Sequence, residues 1–89
     1  MIVLLHRTAD KYLERMNPAD RERVKAALKK LEKEPPEGDI TSVSGQSGLF
    51  RTRVGSYRIL WRTKDKAILV THIDPRGQVY KKKNKGKKR

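Results

Sequence analysis

An α+β fold, with an N-terminal strand, a two-helix hairpin and then an antiparallel β-meander whose one face carries the helices, is what this sequence predicts. Three observations predict it. A β-branched, apolar run opens the chain at residues 2–7. Two stretches with apolar residues at helical spacing come next. From Phe50 onward the apolar residues recur with the two-residue period of strands. At 89 residues the chain makes one domain with a modest core.

Taken in order, residues 2–7 read as a strand buried on both faces or pairing in the middle of the sheet. Thr8 is the expected N-cap of a short first helix that carries Tyr12, Leu13 and Met16 and runs to about Arg15. Asn17-Pro18 then stops one helix and starts another, because asparagine caps, proline suits the first helical position, and Asp20 places a carboxylate in the first turn. Val24, Ala27, Leu28 and Leu31 form the apolar stripe of this second helix, which Pro35-Pro36 ends. Residues 37–48, rich in glycine, serine and acidic side chains, read as an exposed loop.

The clearest local signal is the stretch 50–61, FRTRVGSYRILW. Gly55-Ser56 suits a type II′ turn, so the stretch is a tight hairpin with Val54 opposite Tyr57, Arg53 opposite Arg58, Thr52 opposite Ile59, Arg51 opposite Leu60 and Phe50 opposite Trp61. One face is then aromatic and aliphatic, and the other carries Arg51, Arg53 and Arg58. A turn at 63–66 leads to a third strand, 67–73, whose symmetrical pairing would match Ile59 with Val70, Tyr57 with His72 and Arg58 with Thr71. That register puts His72 on the core side as a structural histidine. Asp74-Pro75-Arg76-Gly77 interrupts the ladder before extended structure resumes at 78–80.

The formal net charge of +13 points to a polyanionic partner. Just over half of it lies in 81–89, KKKNKGKKR, a basic tail with no apolar periodicity that is expected to be disordered; residues 1–80 form the domain and are basic in their own right. The absence of cysteine removes disulfide and thiolate chemistry. The N-terminal apolar run is too short for a signal peptide or a membrane span, so a cytoplasmic chain without membrane contact is expected. Like charges directly opposed on a strand pair, Arg53 and Arg58, cost roughly 0.2–1 kcal/mol, which suggests an anion on that face. Phosphate and carboxylate are the natural candidates for a guanidinium fork. The competing reading is a solvated strand face. For Tyr80 the alternative is a rim aromatic, and for Arg76 an ordinary surface turn.

The order of an N-terminal strand, a helical hairpin, G-x-Y-R-I-L-W at 55–61 and R-x-x-V-Y at 76–80 resembles the RelE/ParE toxin superfamily of toxin–antitoxin systems. The resemblance covers nearly the whole domain. It implies one of two activities: ribosome-dependent endoribonuclease cleavage of mRNA in the A site, as in RelE-like members, or poisoning of DNA gyrase, as in ParE-like members. It also implies neutralisation by a small antitoxin, acidic to match this charge. On the RelE-like pattern, Arg58 holds the scissile phosphate, Arg76 stabilises the transition state or protonates the leaving oxygen, Tyr80 is the general base on the 2′-hydroxyl, and Arg51 and Arg53 support RNA binding. Many relatives carry Gly-His where this chain has Asp74-Pro75, so a loop histidine base is missing. The expectation is therefore an mRNA interferase needing no cofactor and no metal, with ribosome, mRNA and antitoxin as partners. A gyrase inhibitor, or an inactive basic RNA-binding module on the same fold, is the alternative.

Overall fold

The computed structural model describes residues 1–75. Arg76 and Tyr80, and with them the extended stretch 78–80 and the basic tail, lie outside the described residues. The elements are β1 (Ile2–Leu5), α1 (Arg7–Arg15), α2 (Pro18–Leu31), β2 (Ile40–Ser42), β3 (Leu49–Val54), β4 (Tyr57–Lys64) and β5 (Ala67–Asp74). They form one five-stranded sheet in the order β1-β5-β4-β3-β2 with the helices on one side, the α+β architecture the sequence predicts.

β1 is an edge strand, paired in parallel with β5, rather than a central one. Val3 and Leu5 pack on the core, but Ile2 is 66% and Leu4 52% exposed on the other face. A short apolar run looks the same in sequence whether its outer face is covered or bare. α1 is capped two residues earlier than expected: His6 is the N-cap, its Nδ1 accepting from the Thr8 backbone N–H at 3.1 Å. The second junction follows the sequence reading closely. Asn17 caps α2 by accepting from the Asp20 N–H at 2.9 Å, and Pro18 opens the helix. α2 ends at Leu31, ahead of the two prolines, since the ring of Pro35 would collide with the Leu31 carbonyl if the helix continued.

Within the stretch expected to be loop, Ile40–Ser42 forms β2 against β3. Three residues, two of them exposed and polar, carry too little alternation to be read as a strand. The hairpin has all five expected pairs. Gly55 has φ +60 while Ser56 keeps negative φ, which is the type II′ pattern rather than type I′. A Cβ at Gly55 would also meet the Arg23 guanidinium at 2.6 Å, so the turn lies directly against α2.

Ala9, Leu13 and Met16 of α1, Val24, Leu28 and Leu31 of α2, and Ile59, Trp61, Ile68, Val70 and Ile73 of the sheet make the core. Phe50 and Trp61 stack with centroids 4.7 Å apart. Buried Thr52 accepts from the Trp61 indole N–H at 2.8 Å, so the two polar groups taken into the core satisfy each other. Truncating a side chain such as Ile59, which is fully buried, would cost about 2–5 kcal/mol. The arginine-bearing strands therefore carry core residues on their other face. No helix among the described residues is long and apolar enough to cross a membrane.

Candidate functional site

Alternation along β3 and β4 turns Phe50, Thr52, Val54, Tyr57, Ile59 and Trp61 toward the helices and Arg51, Arg53 and Arg58 toward the open face. Arg53 lies directly opposite Arg58, and Arg51 opposite Leu60. Arg62, opposite Leu49, extends the same face. It was recoverable from the sequence, since counting in twos from Arg58 through Leu60 reaches it. Arg53 and Arg62 are exposed; Arg51 and Arg58 are half-buried.

Two carboxylates missed in the sequence join this face. The Arg53 N–H donates to the Asp39 carbonyl at 3.0 Å, and Asp39 Oδ2 lies 3.9 Å from Arg53 Nε. On the far side Asp74 is the register partner of Arg58. Across four consecutive chain segments the sheet thus reads Asp39, Arg53, Arg58, Asp74. The anion that the opposed arginines suggested is thus supplied in part by the chain itself, which brackets them with its own carboxylates. The exposed Arg53–Asp39 pair is worth about 0–1 kcal/mol, so an incoming phosphate can displace it at little cost.

The β4–β5 register differs from the symmetrical one for two reasons. The turn is tighter than expected, with Asp65 in the left-handed region at φ +56 and Lys64 opposite Ala67, which slides the pairing by two residues. A bulge then falls at Leu60/Trp61, where Leu60 pairs with His72 and Trp61 with Val70, leaving Thr71 as the extra residue. The Thr71 hydroxyl donates to the Leu60 carbonyl at 3.3 Å. A slide of two preserves faces, whereas an insertion of one reverses them. Ile68, Val70 and Ile73 are buried, and His72 is exposed on the arginine face beside Leu60 rather than in the core. Leu60, His72, Ile73, Asp74 and Pro75 line a hollow of about 340 Å³ there.

The turn end of the hairpin is tied to α2 from the opposite side. Tyr57 donates its hydroxyl to Asp20 Oδ2 at 2.7 Å, Asn17 Nδ2 donates to the same oxygen at 3.0 Å, and Arg23 lies 3.7 Å from Oδ1. The Tyr57 hydrogen bond, then that of Asn17, with a lesser contribution from Arg23, holds the Asp20 carboxyl below the ordinary carboxylate range; the Asp20 carboxylate in turn pushes the Tyr57 phenol up. Arg58 follows Tyr57 directly in the chain, so this tie fixes where its strand begins. Among the described residues no cluster of three or more His, Asp or Glu side chains could hold a metal ion.

Comparison with known proteins bears on what such a face is for. Residues 3–80 match the model of the family described as the ParE toxin of type II toxin–antitoxin systems, parDE. The chain is similar to the archaeal RelE–RelB complex from Pyrococcus horikoshii OT3, at 30% identity over 88% of this chain and 97% of that one, with a TM-score of 0.71. It is also similar to the RelB–RelE antitoxin–toxin complex from Methanococcus jannaschii (23% identity, 88% and 95% covered, TM-score 0.72). The isolated E. coli RelE toxin shares its fold at 18% identity, with 96% of both chains covered and a TM-score of 0.72. No curated protein matches the sequence significantly.

Proposed function

We propose that this chain, which belongs to the ParE toxin family of type II toxin–antitoxin systems and so to the RelE/ParE superfamily, is a RelE-like endoribonuclease that cuts mRNA in the ribosomal A site. The observation that carries this reading is the open sheet face where Arg53 and Arg58 oppose each other, with Arg51 and Arg62 alongside. A planar fork on a rigid strand suits a phosphodiester, which it can grip bidentately. Arg58 is the assigned phosphate clamp, with Arg51 and Arg53 holding the flanking backbone.

The reaction needs no covalent enzyme intermediate. The ribose 2′-oxygen attacks phosphorus as its proton passes to a base, a new P–O2′ bond forms, the P–O5′ bond breaks, and the 5′-oxygen takes up a proton. The products are a 2′,3′-cyclic phosphate and a 5′-hydroxyl. Tyr80 is the proposed base and Arg76 the group at the leaving oxygen. Both assignments come from the family resemblance of the 76–80 motif. Guanidiniums near a phenol favour the phenolate, which is what lets a tyrosine serve as base near neutral pH. A small acidic antitoxin is the proposed inhibitor, and the ribosome supplies the splayed RNA geometry.

The matched family model favours a second reading, a gyrase-binding poison, since its description names ParE. A translation-dependent mRNA cleavage assay separates the two. Arg58→Ala and Tyr80→Phe should each lower cleavage more than ~10²-fold without unfolding the protein. Wild-type rates in both variants would remove the nuclease reading, and inhibited supercoiling with mRNA intact would establish the rival.

A further inference from the structure

β1 stops opposite Val70, so among the described residues β5 has no strand beside it from 71 to 74 on that side, and α1 runs past the gap. Between them lies a cleft of about 400 Å³ lined by Arg7, Thr8, Lys11, Tyr12, Arg15, His72 and Ile73. Its chemistry is one-sided. Three cations, a histidine, a hydroxyl and a phenol line it, and no carboxylate does. Asp10 and Glu14, the acidic residues of α1, are not among its walls. Arg7, Lys11 and Arg15 are all exposed, and none has an ion-pair partner among the described residues. Residues 76–89 contain no acidic side chain that could neutralise them.

The spacing is as informative as the charge. At four-residue intervals on one helix the three cations form a continuous stripe, rising about 6 Å per step. That step matches the separation of neighbouring phosphates along an extended nucleic acid strand. Tyr12, half-buried at the cleft wall, supplies an aromatic surface of the kind on which single-stranded bases stack. His72 lines both this cleft and the hollow on the arginine face, so the two regions adjoin along residues 71–74 of β5.

We infer that this cleft is a second RNA-binding site, which seats successive phosphates of a single strand on Arg7, Lys11 and Arg15 with a base against Tyr12. It rests on the nuclease reading only for the identity of the anion. The cleft binds without sequence preference and contributes affinity, while the arginine face orients the bond to be cut.

The test measures anisotropy of a labelled 2′-O-methyl oligouridine of about 10 nucleotides, which cannot be cleaved, binding to the full chain across a salt series. Neutralising the stripe with Arg7→Gln, Lys11→Gln and Arg15→Gln together should weaken binding at least ~10-fold and flatten the log–log salt slope by about 2, given about 0.7 per single-strand phosphate contact. Tyr12→Ala should weaken binding about 10-fold with the slope unchanged. The conservative pair Arg7→Lys, Arg15→Lys should retain the slope, which shows that charge and not fold is being read. An unchanged slope in the triple variant, or no RNA binding by the wild-type chain, overturns the inference. Intact probe binding through the stripe with mRNA cleavage absent would sink the nuclease reading alone. Normal cleavage with an unchanged slope would sink this one alone.

Discussion

The sheet face and the α1 cleft are both cationic, yet they are built differently. On the sheet, Arg53 and Arg58 lie between Asp39 and Asp74, on strands backed by the Phe50–Trp61 stack and the Thr52–Trp61 hydrogen bond. On α1, three cations stand on one exposed helix stripe with no carboxylate among them in the cleft. Intramolecular carboxylates reduce the net field while restraining guanidinium direction, and bare charges do the reverse. The first arrangement suits placing one phosphate accurately, and the second suits attracting a polyanion.

The contrast can be broken or sharpened experimentally. The largest effect should come from Arg58→Lys, which keeps the charge but loses the planar fork: mRNA cleavage should fall about 10²-fold, with the anisotropy salt slope unchanged. A variant that cleaves normally would mean that the sheet face supplies charge alone. A smaller effect is expected of Asp39→Asn, which releases Arg53 and makes the sheet face resemble the helix stripe. Oligouridine affinity should rise up to about 5-fold at low salt, the scale of an exposed ion pair, and the gain should vanish at high salt. The smallest concerns the tie beneath the hairpin. Because the folded protein holds Asp20 below its ordinary value, its contribution is fully present above the unfolded carboxylate range and is lost as pH falls through the lowered value. Thermal midpoints of wild type and Asp20→Asn should therefore differ at neutral pH and converge below about pH 4. A difference that persists in strong acid would show that the Tyr57–Asp20 contact does not depend on the carboxylate.

How much of this could be read in advance varies by element. The II′ turn and all five hairpin pairs were legible because a two-residue turn fixes register locally and alternation then assigns every face. Asn17-Pro18 was legible for a similar reason, since cap chemistry involves only a few consecutive residues. His72, Asp74 and Asp39 were not. His72 reached the arginine face through one inserted residue at Thr71, and nothing in the sequence of β5 marks that insertion. Asp39 reached it only because a three-residue strand docked beside β3.

The amino-acid order alone determined the two helices, the arginine-bearing hairpin, the strongly basic character and the family resemblance, because each depends on neighbours a few positions apart or on composition. Tertiary structure decided that β1 lies at an edge, that carboxylates bracket the opposed arginines, and that α1 presents its cations beside His72 and Ile73 of β5. Those outcomes follow from pairings between segments distant in the chain, where a shift of one residue exchanges the faces of a strand and only the packing of the whole core selects among the registers.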